Sequence, residues 1–313
     1  MHAYQLTLRP ETAFGTPLVG DTLFGHICWG IAEHYGSDTL AQCLQGYTGG
    51  QPFLVVGDAA PAGHLPLPQL PGRYWLNPGH TDRKQLKKRH WLPESVLHLP
   101  SRQWQQHARS DDEVQARLIV RHSQPHNSLN RQTHTTGSGG QFAPHQSEQI
   151  WYAPGSWQIY MLLDENRLSL ERLHTVLQHI GLCGYGRDAG TGLGKFSLLA
   201  LAPTDLFERH AQGNAVWTLA PSCPQGLGYA ARHSYYQTQT RFGRHGNLAA
   251  RSGRPFKQPI LMAQSGAVFS GTPPGQSWVG QGIGGVSASL AATVHQGYAP
   301  ALWWTLDTAA LDD

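Results

Sequence analysis

The stretch Gly184-Tyr185-Gly186-Arg187-Asp188-Ala189-Gly190-Thr191-Gly192-Leu193-Gly194-Lys195-Phe196 decides the fold expected for this chain. Its segment 184–194 holds five glycines in eleven residues, which permits positive φ angles and a close approach of the backbone to another molecule. Exposed amides in such a loop form concavities that suit phosphate groups, and Arg187 and Lys195 add positive charge. We therefore expect the loop to contact phosphates through its amide hydrogens. The residues expected to contribute are Gly184, Gly186, Arg187, Gly190, Thr191, Gly192, Gly194 and Lys195.

The elements on either side of this loop exclude the common nucleotide-binding motifs. Apolar residues recur at helical spacing from Leu168 to Ile180, and the run KFSLLALA at 195–202 is typical of a strand. A dinucleotide fingerprint follows a strand and opens a helix, which is the reverse of this order. The phosphate-loop pattern G-x-x-x-x-G-K-[ST] does not occur. A flexible linker is the remaining alternative, and the regular elements on both sides argue against it.

The N-terminal part of the chain predicts the same succession of elements. Residues 2–8 alternate as a half-buried strand does, and Asp21 stands where a helix N-cap is expected. Apolar residues then recur at helical spacing to Tyr35-Gly36, followed by a short helix at 39–44 and a buried strand at 52–56. Another strand is predicted at 156–163, before the second long helix. Strand–helix–strand twice over predicts an α+β, ferredoxin-like fold, which is also that of the RNA-recognition motif.

The chain divides into two predicted domains. Residues 1–203 form the ferredoxin-like domain, and the segment at about 72–150 is predicted to be an inserted thumb because it has no continuous apolar face. Residues 204–313 show short strands, turns and little helical periodicity. They are predicted to form a smaller β-rich domain, a degenerate RRM-like one.

Positive charge is unevenly distributed, although the net charge is only +3. No aspartate or glutamate occurs between Arg209 and Leu306, whereas arginines recur through this stretch. Arginine stacks on bases and forks onto phosphates, so the bias suits an RNA partner, and a merely solvated surface is the equal alternative at this point. We expect Arg251, Arg254 and Lys257 to extend a basic track along the RNA.

Targeting signals and metal-binding patterns are not evident. The N-terminus MHAYQLTLRP lacks the charged and apolar regions of a signal peptide, and no apolar run of about 18 residues predicts a membrane span. The four cysteines are scattered, and their spacing fits neither a zinc site nor a disulfide framework. We expect a cytoplasmic protein without a metal or another cofactor.

Several segments, taken in order, resemble the RAMP superfamily of RNA-binding CRISPR proteins. A glycine-rich loop between the second helix and the last strand of a ferredoxin-like domain is the hallmark of that superfamily. The other segments are similar to the subunits that cap the 5′ end of the guide RNA in type III-A effector complexes. They are residues 14–26 (FGTPLVGDTLFGH), 52–56 (PFLVV), 63–68 (GHLPLP), the basic run 83–89, 130–137 (NRQTHTTG), 253–257 (GRPFK) and 265–269 (SGAVF).

The resemblance implies a non-catalytic subunit that grips the short repeat-derived 5′ tag of the crRNA. Implied partners are the crRNA, the large signalling subunit and the backbone RAMP subunits of the ribonucleoprotein. Gly20 and His26 in the segment entering the first helix are implied to line the RNA, and Asn130 and Arg131 on the thumb to act near a displaced base. The departure from the family is a wealth of His, Gln and Trp where Lys and Glu are expected.

Three other functions stay open at the level of sequence. RAMP proteins include metal-independent endoribonucleases that process pre-crRNA, and His26 could be the acid or base of such an enzyme. His122 and His126 are four residues apart, but they fall in a predicted strand and loop without an acidic neighbour, which argues against a metal site. Trp303-Trp304 and Tyr235-Tyr236 could form a protein-docking surface, although packing in the core is the commoner fate of such pairs.

Overall fold

The structure is a computed structural model that describes residues 1–76, 82–136, 143–246, 253–271 and 275–312. The first strands in chain order are β1 (His2–Pro10), β2 (Leu54–Val56), β3 (Ala60–Pro61), β4 (His64–Pro66), β5 (Trp91–Pro93), β6 (Ile119–His126), β7 (His145–Tyr152), β8 (Trp157–Leu163) and β9 (Phe196–Pro203). The strands that follow are β10 (Ala215–Thr218), β11 (Ala230–Tyr235), β12 (Thr238–Arg241), β13 (Ile260–Ala263), β14 (Val268–Ser270), β15 (Trp278–Ile283) and β16 (His295–Trp304). The helices are α1 (Gly20–Tyr35), α2 (Ser37–Cys43), α3 (Arg83–Lys88), α4 (Trp104–His107), α5 (Asp111–Val114), α6 (Leu170–Cys183), α7 (Leu206–Arg209) and α8 (Ala309–Asp312).

The first sheet has the order β2-β8-β1-β9, and β3 also pairs with β8. All of these pairings are antiparallel. The alternation at 2–8 is confirmed, because Tyr4, Leu6 and Leu8 are buried while the residues between them are not. Every residue of β8 is buried, as a strand covered on both faces requires.

The two long helices of the N-terminal part pack against each other and against this sheet. Helix α6 is capped by Ser169, whose hydroxyl accepts a hydrogen bond from the amide of Arg172. Gly36 and Gly184, both at positive φ, end α1 and α6. The sequence therefore predicted both helices and the glycine that ends α1.

The capping role predicted for Asp21 is wrong. Helix α1 begins at Gly20 after Val19, and no side chain caps it. The carboxylate of Asp21 is buried and pairs with the guanidinium of Arg241, 220 positions along the chain. A buried carboxylate needs a charged partner more than the helix needs a cap, which is the physical reason for the difference.

The segment predicted as an inserted thumb, about 72–150, has two parts. Its first part is not a projection, because Tyr74, Trp75, Leu92 and Trp104 are buried within the main core. Its second part is a two-stranded hairpin of β6 and β7 whose residues are mostly exposed. Only this hairpin, which we call the thumb hairpin, extends outward from the core.

The C-terminal residues form a second antiparallel sheet of order β11-β14-β10-β16-β15. Its strand β16 reaches the first sheet, where the carboxamide of Gln296 donates to the carbonyl of Val56 (2.8 Å) and accepts from the amide of Val56 (2.9 Å). One apolar core continues through both sheets and includes Leu6, Trp217 and Trp304. The chain is therefore a mixed α+β structure rich in strands.

Candidate nucleic-acid interface

One face of α1 is left open by the core. Leu23, Phe24, Ile27 and Ile31 fill the buried face, as their spacing requires. The opposite face carries Thr22, Gly25, His26 and Trp29, which share one side of the helix and are only half buried. We call this strip of α1, with the two segments that border it, the α1 groove.

Gly25 lies in the middle of the strip and has open space above it. A Cβ atom built on Gly25 would meet no heavy atom of the described residues within 4 Å. Gly30 on the buried face differs, because a Cβ there would lie 2.6 Å from Cγ1 of Val176. Packing therefore explains why position 30 is a glycine, but it does not explain the glycine at position 25. A glycine inside a helix costs about 1 kcal/mol of stability relative to alanine, so Gly25 needs another explanation.

The glycine-rich loop 184–194 borders the groove on one side. The imidazole Nε2 of His26 accepts a hydrogen bond from the amide of Gly186 (2.9 Å), and Thr16 Oγ1 accepts one from the amide of Arg187 (3.0 Å). The loop is also anchored from outside the groove, since the Arg187 guanidinium donates to the carbonyl of Glu148 on the thumb hairpin (2.6 Å). The loop is thus fixed in place and is not a flexible linker.

Most of the loop amides are already used within the protein. The amides of Gly184, Gly186, Gly194, Arg187 and Lys195 donate to groups outside the loop or across its neck, and those of Thr191 and Gly192 close a 3₁₀ turn at Ala189–Thr191. The expectation that the amides of all these residues contact phosphates therefore needs correction. Within the described residues the amide of Gly190 has no acceptor, and its backbone is exposed at the tip. The side chains of Arg187, Thr191 and Lys195 around it are exposed. The Arg187 guanidinium also contacts the Asp188 carboxylate (3.1 Å), and the Thr191 hydroxyl donates to the carbonyl of Asp188 (2.8 Å).

His26 is held in a role of support rather than of proton transfer. Because Nε2 accepts from Gly186, the ring is neutral, and burial lowers its pKa to about 4. The ring also packs against Tyr185, whose hydroxyl donates to the carbonyl of Pro17 (2.7 Å). A general acid or base needs a free ring nitrogen directed at its substrate and a pKa near the working pH, so this environment does not suit His26 for catalysis.

Gly20 is buried and serves close packing. Its amide donates to Asp58 Oδ1 (2.8 Å), and a Cβ on Gly20 would collide with the carbonyl of Val56. The amide of Gly20 is therefore not free for a ligand. Burial raises the pKa of Asp58 to about 7, with the Gly20 amide opposing the shift and the nearby Asp21 adding to it.

A segment of the C-terminal part borders the groove on the other side. We call residues 241–246 and 253–258 the C-terminal arm; they are paired through the bridge between Arg244 and Phe256. The arm is fixed at one end by Arg241, which bonds both oxygens of Asp21 and contacts Thr22 Oγ1 (3.4 Å). Further along, the Cα of Gly246 lies so near Trp29 that a Cβ there would be 3.2 Å from the indole.

The Asp21–Arg241 pair is shielded from solvent, which sets its charge state. Burial opposes ionisation of Asp21, yet the Arg241 guanidinium outweighs burial and lowers the carboxyl pKa. His295 on β16 lies 3.5 Å from Asp21 Oδ2, and burial lowers its pKa to about 4. At neutral pH the pair is therefore an ion pair beside a neutral imidazole.

The arm carries the basic residues expected for an RNA track and aromatic residues that were not expected. Arg254 is exposed, whereas Lys257 is half buried near Cys28, and burial lowers its pKa. Arg251 lies outside the described residues. Phe242 and Phe256 are 73% and 67% exposed, and the Arg244 guanidinium lies 5.8 Å from the ring centroid of Phe256. The sequence feature that could have indicated these aromatic residues is phenylalanine close to arginine in a stretch without acidic residues.

The thumb residues lie apart from the α1 groove, beyond the strands of the thumb hairpin. Asn130 and Arg131 belong to a turn in which the Asn130 side chain accepts from the amide of Gln132 (2.9 Å). Arg131 is exposed and has no hydrogen-bond partner among the described residues. The rings of His126 and His145 stack across the hairpin with centroids 5.3 Å apart. In the part of the chain that the structure describes, no cluster of three or more His, Cys, Asp or Glu side chains could hold a metal ion.

The aromatic pairs considered for docking have different environments. Trp303 and Trp304 are both buried in the second sheet, so they do not form a docking surface. Tyr235 is half buried, whereas Tyr236 is exposed and packs beside Phe269. No described helix is both long and apolar enough to cross a membrane.

The fold is similar to solved structures from type III-A CRISPR complexes. A chain of the Csm3–Csm4 subcomplex of the interference complex matches with a TM-score of 0.60 and 14% identity, over 96% of this chain and 99% of that one. A chain of the Csm1–Csm4 cassette with pppApA matches with a TM-score of 0.58 and 14% identity, over 96% and 97%. The same cassette with AMPPNP matches at 0.57 and 15%, over 97% and 98%. No protein-family model and no curated protein matches the sequence. The predicted resemblance is thus confirmed for the fold, which is similar to that of Csm4.

Proposed function

We propose that this chain is a non-catalytic RNA-binding subunit of a type III CRISPR ribonucleoprotein effector, gripping the 5′ repeat-derived tag of the crRNA in antiviral defence. The observation that carries the proposal is the similarity to Csm4 structures along almost the whole of both chains. At 14% identity that similarity concerns the fold, so the RNA-binding role rests on the α1 groove as well. The groove has basic side chains on both of its borders and an open helix face between them.

The ferredoxin-like description of the N-terminal part belongs to this proposal. Its support is the chain order β1, α1, β2, then β8, α6, β9, together with the antiparallel sheet order β2-β8-β1-β9. The thumb would then be an insertion between the two halves, of which the thumb hairpin is the exposed part. The second sheet, residues 204–313, would be the smaller domain.

The RNA backbone runs along the α1 groove in this proposal. Arg187 and Lys195 of the loop and Arg254 and Lys257 of the arm supply positive charge, and Arg251 extends the track. The amide of Gly190 contacts phosphate at the loop tip, and Thr191, whose hydroxyl donates to the carbonyl of Asp188, holds the turn that presents it. Gly184, Gly186, Gly192, Gly194 and Gly20 shape the loop and its support, and His26 positions the loop. Asn130 and Arg131 act at the far end, beside a displaced base.

Neighbouring subunits are the second class of partner in the proposal. The similar structures pair Csm4 with Csm1 in the cassette and with Csm3 in the subcomplex. We propose that this chain likewise contacts a large signalling subunit and the first backbone RAMP subunit. The exposed thumb hairpin is the element that fits contact with the next backbone subunit.

One experiment tests both RNA binding and the alternative that the chain is a pre-crRNA endoribonuclease. RNA with the 5′ tag of the CRISPR repeat from the same genome is titrated by filter binding, beside the same RNA without the tag, at two salt concentrations. The bound RNA is then run on a denaturing gel. We expect tag-dependent binding of intact RNA that weakens with salt, because released counterions contribute to phosphate binding.

Two variants sharpen this experiment. Arg187→Ala removes an exposed loop cation and is expected to weaken binding several-fold and to flatten the salt dependence. Arg209→Ala, an exposed arginine on α7 that pairs with Asp205, is the matched control and leaves binding unchanged. Cleavage that disappears in His26→Ala would make the chain a nuclease. Failure of the folded chain to bind tagged RNA would refute the RNA grip.

A further inference from the structure

A pocket in the C-terminal part lies beside the arm and is not used by the α1 groove. Its volume is about 310 Å³, which is within the range of small-molecule sites and large enough for one nucleobase. The start of β13, the end of β15 and the loop after β15 form its walls. The amide of Gln258 donates to the carbonyl of Val286 (2.8 Å), which joins the arm to the far wall.

The lining is neutral and combines apolar walls with carboxamides. Ile260, Ile283 and Val286 supply the apolar surface, and Gln225, Gln258 and Gln281 supply the polar groups. None of the lining residues carries a charge, so the pocket suits neither an ion nor a phosphate. A flat, neutral group with hydrogen-bonding edges fits this combination.

The glutamines are arranged so that two oxygens remain unused. Gln225 Nε2 donates to the carbonyl of Leu261 (2.9 Å), and Gln281 Nε2 donates to the carbonyl of Gln225 (2.6 Å). These bonds fix both carboxamides and leave the Oε1 atoms of Gln225 and Gln281 without a donor from the described residues. Both side chains are accessible to solvent, so their fixed acceptors suit a ligand with N–H donors, such as the amino group of adenine, cytosine or guanine.

The surroundings point to RNA as the source of that base. Gln258, which lines the pocket, follows Lys257 directly and stands two positions after Phe256 in the arm. Phe256 and Arg244 offer an exposed aromatic ring and a guanidinium plane, on which bases of single-stranded RNA stack. No acidic residue occurs between 209 and 306, so phosphates passing this surface meet no acidic side chain from that stretch.

We propose that this pocket takes up one unpaired base with an exocyclic amino group, splayed out of the RNA strand that the chain grips. The inference rests on the proposed RNA-binding function and adds to it a site that reads base identity. Apolar walls hold the two faces of the base, and the Oε1 atoms of Gln225 and Gln281 accept from its amino edge. Uracil lacks that amino group and is discriminated against.

The test combines a change in the protein with a change in the RNA. Gln281→Leu keeps the side-chain volume and removes the acceptor, and Gln258→Trp blocks the exposed mouth of the pocket. Gln178→Leu on the exposed face of α6 is the matched control. Tagged RNAs are titrated in which each base with an amino group is replaced in turn by an analogue without one, such as purine riboside for adenosine. Thermal unfolding of each variant shows that it is folded.

We expect one RNA position at which loss of the amino group weakens binding by the intact chain about tenfold. In the Gln281→Leu variant, removing the amino group at that RNA position does not weaken binding further, because the variant has already lost the contact with that group. Gln258→Trp weakens binding similarly, and Gln178→Leu behaves like the unaltered chain.

If the unaltered chain binds RNA and no position depends on Gln281, the pocket proposal fails alone. If it binds no RNA, the proposed function fails as well. Loss of subunit assembly with unchanged RNA binding would make the pocket a protein contact and overturn the proposal.

Discussion

His26 shows how one side chain can support a loop without offering a group for catalysis. Its Nε2 accepts from Gly186, and burial lowers its pKa to about 4. The histidine thus fixes the neck of the glycine-rich loop relative to α1. The resemblance implied that His26 lines the RNA, but the sequence could not indicate the direction of its hydrogen bond. That direction separates a positioning residue from a catalytic one.

Asp58 gives a prediction about pH at the scale of a single residue. Burial raises its pKa to about 7, against the ordinary 3.8, so between pH 4 and 7 the folded chain keeps a proton that the unfolded chain releases. The contribution of Asp58 to stability is therefore lost as the pH rises through about 7. Asp58→Asn keeps an oxygen for the amide of Gly20 and removes the titration.

We expect Asp58→Asn to gain stability relative to the parent chain by about 1 kcal/mol or more between pH 5 and pH 8. Denaturant unfolding of both chains at the two pH values measures this difference. His26 and His295 have lowered pKa values and act in the opposite sense, but they are present in both chains and cancel. A difference that does not change with pH would show that Asp58 is ionised throughout.

Helix α1 gives a prediction about an element, because its two inner glycines differ in their surroundings. Gly25 lies under open space, whereas Gly30 packs against Val176. Gly25→Ala adds a methyl group in open space and is expected to stabilise the chain by about 0.5–1 kcal/mol. If RNA passes closely over the helix, the same change weakens RNA binding. Gly30→Ala is the matched change on the buried face, where Val176 must move, and it is expected to destabilise the chain.

Denaturant unfolding and RNA titration of both variants separate the two effects. The expected pattern for Gly25→Ala is higher stability with lower affinity, which a purely structural glycine does not produce. Unchanged affinity in a stabilised Gly25→Ala chain would contradict RNA contact at this point of α1. The measurement therefore tests the floor of the groove without removing any charge.

The attachment of the C-terminal arm to α1 gives a second prediction about elements. Arg241→Met leaves the buried carboxylate of Asp21 without its cation, which costs about 3–5 kcal/mol in such pairs. The double variant Asp21→Asn with Arg241→Met removes both charges and is expected to recover much of that loss. Thermal unfolding of the two single variants and the double one gives the coupling. Additive losses would mean that the pair is not coupled.

Local sequence patterns predicted the helices and strands, but they did not predict contacts between residues far apart in the sequence. The apolar spacing of α1 and α6 was sufficient for both helices, and Gly36 also indicated where α1 ends. The pairing of Asp21 with Arg241 spans 220 positions, and no local pattern records it. The glycine-rich loop was recognised from composition, yet its amides were expected to face a ligand. Most of them donate within the protein, which only the fold could reveal.

At the scale of the whole molecule, the two predicted domains share more than a linker. Trp104, from the segment expected to project, stacks on Trp304 of β16 with ring centroids 5.1 Å apart. The hydroxyl of Tyr298 donates to the carbonyl of Tyr47 (2.6 Å), and Gln296 bonds both backbone groups of Val56. The groove therefore has one border from each part of the chain, and its width depends on this joint.

The shared core leads to a prediction about cooperativity. Aromatic side chains from residues 47–104 and from β10 and β16 lie in one apolar cluster, so residues 1–203 alone would expose Trp104 and Tyr47 to water. Burying an aromatic side chain contributes roughly 2–3 kcal/mol, and a domain has only about 5–15 kcal/mol of net stability.

We expect the full chain to unfold in a single calorimetric transition whose van't Hoff and calorimetric enthalpies agree. We also expect the 1–203 fragment to lack the near-ultraviolet circular dichroism of packed aromatics. Two separated transitions, or a fragment with a native-like aromatic spectrum, would mean that each part folds by itself and that the groove can open between them.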